Sequence, residues 1–405
     1  MMQLYISISS FLLGLGIAAA SLQAAEQITE TDTTAAPGTH QVKRCFRYAN
    51  PITYDPLQSL RDHMILKVGD RWYMTGSSQP IWGGQNPGVR LMVSDDLLNW
   101  KDAGWCIDAS KLPAGCPYNG RFWAPELHQI RGKFFLSVNS GQEGPKAGNS
   151  RLDGHRVWIF KSDKIGGPYE VLTPNGLVLA DPKIFTNDGT MFADDDGRTY
   201  VYCGGDGLWQ AEIDLKTGEL MNGNDGTNGF KRVFSHRDPG NPDWMIGGIE
   251  GPWVMKRHGS YWMFFSSWSR GYEVGILRAE SPQGPWRLAQ PDPVFGTRKR
   301  AHREEIAKKD GYPNLVYEDT KDPYVEVGHN AVFEGPDGKD WICCHYWLQG
   351  KGGGKKDFGG LIPVYEDTQE QLGIEPLLYE NGKWRVNGPT WEPQEVRLIE
   401  DGGTK

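Results

Sequence analysis

The chain has 405 residues, 38% of them apolar and 12% aromatic, with 52 Gly, 26 Pro, 16 Trp and a formal charge of −8. The acidic balance argues against a nucleic-acid partner, because proteins that hold a phosphate backbone carry a basic face. Abundant Gly, Pro and aromatic residues suit many short strands joined by turns, and the length admits either several ordinary domains or one domain built from repeats.

Residues 1–25 open with an apolar stretch from Ile6 to Ala20 and end in small residues, Ala24 and Ala25, that a signal peptidase accepts. They read as an export leader, so the mature chain is expected in the periplasm or outside the cell, with no membrane contact once the leader is gone. No Lys or Arg precedes the apolar stretch, and a retained anchor stands as the alternative. The Thr, Ala, Pro and Gly of residues 26–45 read as a disordered lead-in to one domain over 46–405.

From there one pattern returns five times: an apolar strand, a Gly-containing turn, and a strand of aromatic and small residues. The copies are MILKVGDRWYMTGSS, LHQIRGKFFLSVNSG, MFADDDGRTYVYCGG, WVMKRHGSYWMFFSSW and VFEGPDGKDWICCHYW. Turn chemistry makes each a β-hairpin. The first four are followed by a further alternating strand, VRLMVSDDLLNW, RVWIFKSD, GLWQAEID and EVGILRAES, and some then by an aromatic closing phrase such as GPYEVL or GPWRL. A unit with one small antiparallel sheet cannot cover both of its faces alone, and radial stacking solves that. The fold class is therefore all-β, a single five-bladed β-propeller. Two stacked β-sandwiches are the competing architecture, but Greek-key connections would not return the same hairpin at the same spacing. The basic run TRKRAHREEIAKK reads as an excursion between blades four and five.

Of the six cysteines, Cys106 and Cys116 flank a Pro-containing loop that a disulfide could staple, whereas Cys343 and Cys344 alternate faces of one strand and read as core or rim. None has zinc spacing.

Equivalent hairpins place equivalent residues around one axis. Asp188, Glu250, His329 and Trp123 each precede their turn glycine by nine positions, and Asp62 precedes Gly69 by seven, with a shorter turn taking up the difference. The first strand of a propeller blade lines the central channel, so these five converge on its mouth. Three acids together raise one another's pKa and are costly unless used. Glycosidic hydrolysis uses such a set: one carboxylate to activate water, one carboxylic acid to protonate the leaving oxygen, and a third whose charge keeps that acid protonated. Trp123, Trp268 and Trp347 offer flat faces for a sugar at the mouth, with core packing as the competing reading for each; Trp82 lies in a comparable place. The acids of DDDG, Asp194 to Asp196, read as turn formers, and Glu126 stays outside the catalytic set.

The phrases RDHMILKVGDRWYMTGSS, FWAPELH, NDGTMFADDDGRTYV, IEGPWVMKRHGSYWMFFSS and GHNAVFEGPDGKDWICCHYW, in this order, resemble the blade-opening motifs of glycoside hydrolase family 43. The resemblance implies a five-bladed propeller that cleaves arabinose- or xylose-containing polysaccharides or oligosaccharides with inversion at the anomeric carbon. It implies Asp62 as general base, Asp188 as the acid that tunes pKa and orients substrate, and Glu250 as general acid. It also implies His329 as the channel histidine that contacts a structural calcium through waters; a hydrogen-bonded channel histidine would look the same in sequence. His63 and Gly189 stand where that family commonly has proline, and the closing phrase QEQLGIEPLLYENGKW lacks the family's arginine, which bears on the sugar. The expected activity is exo-acting release of L-arabinofuranose or D-xylose. An endo-acting arabinanase or galactan-active relative is the alternative within the same chemistry, and a non-catalytic glycan-binding propeller the alternative from another class.

Overall fold

The computed structural model describes residues 44–52, 60–81, 86–142, 153–181, 183–221, 227–270, 272–296, 324–348, 354–357, 362–365, 370–390 and 392–398. The expected leader at 1–25, nearly all of the lead-in, Trp82 and the basic run lie outside the described residues.

The five repeats are five antiparallel sheets, each with a four-strand path. Blade one holds β2 (Leu60–Val68), β3 (Arg71–Ser78), β4 (Gly88–Ser94) and β5 (Lys101–Asp108). Blade two holds β6 (Trp123–Ile130), β7 (Lys133–Gln142), β8 (Asp153–Ser162) and β9 (Glu170–Val171). Blade three holds β10 (Asn187–Ala193), β11 (Thr199–Gly204), β12 (Leu208–Glu212) and β13 (Lys231–Phe234). Blade four holds β14 (Ile249–Arg257), β15 (Ser260–Ser267), β16 (Glu273–Ala279) and β17 (Arg287–Leu288), with β18 (Phe295–Gly296) added on β16. Blade five holds β19 (Tyr324–Glu334), β20 (Asp340–Leu348), β23 (Gln371–Glu380) and β24 (Lys383–Val386), with the hairpin β21 (Gly354–Asp357) and β22 (Ile362–Tyr365) between its second and third strands.

The apolar faces are buried between neighbours. One hydrophobic cluster joins blades five, one and two through Trp341, Phe333, Leu60, Met64, Leu127 and Leu136. Others fill the spaces between blades two and three, three and four, and four and five. Each sheet alone would leave one such face in water, at roughly 25 cal/mol per Å² of apolar surface, which is why the unit of stability is the pair of blades.

The ring closes without a shared blade. All four strands of blade five come from the C-terminal half, while β1 (Cys45–Tyr48) pairs instead with β25 (Gln394–Arg397) in a two-stranded ribbon. The seam between blades one and five is tied by Trp72 Nε1 donating to Glu334 O at 2.7 Å, by Lys67–Glu334 at 2.7 Å and by Arg61–Glu370 at 2.5 Å. The disulfide considered for Cys106 and Cys116 is not formed: all six cysteines are free. Cys106 turns inward to the core cluster instead, and burial pushes its thiol up to about 12, far from the thiolate that disulfide chemistry needs.

Candidate active site

Every first strand of a blade carries a bulge at its channel end. Pairing with the second strand skips two residues: Asp62 and His63 in β2, Ala124 and Pro125 in β6, Asp188 and Gly189 in β10, Gly251 and Pro252 in β14, His329 and Asn330 in β19. The first of each two lies in the left-handed region, with φ of 56° at Asp62, 45° at Ala124, 48° at Asp188, 60° at Gly251 and 45° at His329. Such a conformation costs a non-glycine residue about 1–3 kcal/mol and persists only where surrounding bonds fix it.

These bulges correct the offset count. Asp62, Asp188 and His329 do occupy one equivalent position, but Glu250 precedes its bulge residue Gly251, as Asn187 and Trp123 precede theirs. Blades two and four turn on two residues, Arg131-Gly132 and His258-Gly259, whereas blades three and five turn on three, ending in Gly197 and Gly338. A one-residue difference in turn length cancels a one-residue difference in strand position. Glu250 therefore leaves the strand from a different bond than the two aspartates.

A second set of residues, on the second strands of blades one, two, four and five, holds four of the bulges. Ser77 Oγ accepts the Ala124 amide at 2.7 Å and donates to Asp62 Oδ2 at 2.6 Å. Asn139 Oδ1 accepts the Asp188 amide at 2.9 Å while its Nδ2 donates to Asp188 Oδ1 at 2.7 Å. Ser266 Oγ accepts the His329 amide at 2.9 Å. His345 Nδ1, from blade five, meets the Asp62 amide at 3.3 Å and the Asp62 carboxylate at 3.2 Å, completing the circle. At the corresponding place in blade three stands Gly204, where an added Cβ would lie 3.6 Å from Glu250 Cβ.

The structure brings four of the expected residues together. His329 Nδ1 lies 3.8 Å from Asp62 Oδ1 and 3.7 Å from Asp188 Oδ2. Glu250 is tied to Asp188 by amides: Asn187 Nδ2 donates to Glu250 Oε2 at 3.3 Å, and Asn139 Nδ2 donates both to Asn187 Oδ1 at 2.9 Å and to Asp188. On its other oxygen Glu250 accepts the Tyr272 hydroxyl. Of the tryptophans, Trp268 is half-buried beside Glu250 in the wall of a cavity of about 350 Å³. Trp123, also half-buried, donates its indole N–H to Ile81 O at 2.9 Å. Trp347 is buried, with the Arg61 guanidinium 5.9 Å from its ring centre.

Burial alone would raise all three acids, and their partners then separate them. For Asp62 burial is overcome by neighbouring His329, the bond to His345 and the Arg61 guanidinium at 3.3 Å, so its carboxyl is held well below the usual carboxylate range. Asp188 is pushed up to about 8 by burial and by the charge of Asp62. Glu250 is pushed up to about 7 by burial and by the charge of Asp188, with Tyr272 pulling the other way. Toward neutral pH the channel mouth thus holds one ionised carboxylate, Asp62, and two coupled carboxyls, Asp188 and Glu250, that retain protons. Glu126, a fourth channel carboxyl, is pushed up to about 8 by burial and lies 3.3 Å from His128.

Reading the repeats passed over Tyr272, Asn139, Asn187, Ser77, His345, Arg61 and Glu370. Ser77, Asn139 and His345 each stand opposite the residue before a bulge, a position that strand pairing reveals and for which the sequence carries no signal. Tyr272 had none either: it comes from a connection, and Gly328 makes room for it, since a Cβ there would come within 1.9 Å of its ring. No three His, Cys, Asp or Glu side chains gather as a metal set among the described residues. Calcium takes six to eight oxygens, so these residues fit a largely hydrated ion beside His329, not a cage.

Fold and site define a class: a β-propeller with carboxylate chemistry at its channel mouth. Residues 48–383 match the profile of Glycosyl hydrolases family 43, and the chain belongs to that family. It is 26% identical over 353 residues to a xylan 1,3-β-xylosidase of Vibrio sp., covering 84% of this chain and 57% of that protein. It is 23% identical over 307 residues to an extracellular exo-α-(1→5)-L-arabinofuranosidase of Cellvibrio japonicus, covering 71% and 78%. Among solved structures, a thermostable family-43 glycoside hydrolase superposes with a TM-score of 0.62 at 22% identity, covering 86% of this chain and 98% of that one. The chain spans 46–64% of the length of the first three curated relatives.

Proposed function

We propose that the protein is an inverting glycoside hydrolase that releases L-arabinofuranose or D-xylose from the ends of polysaccharides or oligosaccharides. The observation that carries the reading is the separation of Asp62, held ionised, from Glu250, held protonated up to about pH 7, around one channel mouth. Asp62 takes a proton from a water that attacks the anomeric carbon, the bond to the leaving oxygen breaks, and Glu250 delivers its proton to that oxygen. Asp188 raises the acid's pKa and orients the sugar. The pentose is supported by the xylosidase and arabinofuranosidase activities named for the relatives above.

Aryl α-L-arabinofuranosides and β-D-xylosides test this directly. The wild type should cleave at least one, Asp62→Asn should lower its rate by about 10³-fold or more, and Glu250→Gln should cost most on substrates with poor leaving groups. Glycan binding with no cleavage by the wild type would instead favour a binding propeller.

Calcium enters the proposal as a hydrated ion with His329 as the chain's contact; it would supply positive charge to the channel, and no proton step runs through it. Treatment with EDTA should then lower both Tm and rate, and calcium should restore them. Equal values in EDTA and calcium would remove the ion from the account.

A further inference from the structure

The cavity of about 350 Å³ lies between blades three and four, and its wall includes Glu250, Asn187, Trp268 and His236 but none of Asp62, Asp188 and His329. That placement is directional. A general acid stands between the sugar being released and the group that leaves, while the general base stands on the released sugar's far side. Space that shares a wall with the acid and not with the base belongs to the leaving group.

The cavity is built to receive a polar ring. Trp268 is seated on Gly247 and Gly248, where a Cβ on Gly248 would come within 2.4 Å of the indole, so two glycines in a row are what let the ring lie there. His236 is only 4% exposed, and neither ring nitrogen has a hydrogen-bond partner among the described residues. A buried imidazole without partners is costly unless something else bonds to it. Burial, followed by the charge of Arg237, lowers its pKa, so the ring stays neutral with one donor and one acceptor, matching a pair of sugar hydroxyls. Arg237 itself pairs with Asp206 at 2.8 Å.

We propose that this cavity is the leaving-group subsite, in which Trp268 packs against the sugar ring of the departing chain and His236 hydrogen-bonds its hydroxyls, presenting the glycosidic oxygen to Glu250. The inference rests on the reading of Glu250 as the general acid. It assigns specificity for the leaving sugar to blades three and four, away from the groups that hold the released sugar.

The test compares leaving groups. Values of kcat/KM are measured on para-nitrophenyl α-L-arabinofuranoside and β-D-xyloside, whose aryl group has no hydroxyls to offer, and on arabinobiose and xylobiose. In His236→Ala the ratio of disaccharide to aryl-glycoside kcat/KM should fall about tenfold or more, and in His236→Asn, which keeps a donor and an acceptor, by less. A ratio unchanged in both folded variants overturns the subsite. If His236→Ala does not fold, the Asn variant alone decides, with an unchanged ratio again the contrary result. Failure of the wild type on all four probes would overturn the reading of Glu250 first and the subsite with it, whereas cleavage with an unchanged ratio overturns the subsite alone.

Discussion

At Glu250 two neighbours act in opposite directions. The Tyr272 hydroxyl favours the carboxylate by donating to it, and Asp188 favours the acid by placing a second carboxyl nearby. Because kcat/KM reports the free enzyme, its alkaline limb should fall through about pH 7, where Glu250 loses its proton, while the acid limb should lie well below the usual carboxylate range, where Asp62 gains one. Tyr272→Phe should move the alkaline limb to higher pH. Asp188→Asn should move it lower and slow the reaction, since two coupled carboxyls that release protons in two steps become one. A limb that stays fixed in both variants would separate Glu250 from that titration. That the three acids meet at one mouth was legible in sequence because each sits near a turn glycine that can be counted. Tyr272 was not, because a residue supplied by a connection has no repeat position to betray it.

At the scale of elements, the hairpins were readable from turn chemistry and the bulges were not. A bulge leaves no mark in an apolar alternation already interrupted by Pro125, Gly189 and Pro252, and the compensation between turn length and strand position let Glu250 pass as the equivalent of Asp188. The second-strand residues explain why strained aspartates survive there: the amide of each of four bulges meets a side chain of a neighbouring blade. A comparable junction lies on β23, where Glu375 accepts from Tyr48 at 3.0 Å, from Asn50 at 2.8 Å and from the Thr390 hydroxyl at 2.9 Å, joining both terminal segments to blade five. Burial pushes Glu375 up to about 7 against those bonds, from about 4.3 in an unfolded chain. The folded state therefore holds a proton that the unfolded state has released, and the resulting stability, full below about pH 4, is lost as pH rises through about 7. Glu375→Gln, which cannot ionise, should gain several degrees of Tm relative to the wild type between pH 5 and pH 8. A gap that does not change with pH would contradict this.

The whole molecule is a ring whose first and last blades meet through side chains. Five recurring hairpins made the blade number legible, because the repeat is a local property of the chain. Closure was not legible: β1 pairs with β25 outside the blades, and the Arg61–Glu370 pair joins residues more than 300 positions apart. That closure is also what makes the site, since His345 reaches Asp62 only across the seam. With Asp62 activating water rather than attacking the sugar itself, as proposed, the reaction is a single displacement with no covalent sugar on the enzyme. Proton NMR of the anomer first released from a cleaved arabinofuranoside or xyloside tests this most directly. The account predicts the configuration opposite to that of the substrate; release with the substrate's own configuration would require a carboxylate nucleophile and would contradict Asp62 as the base.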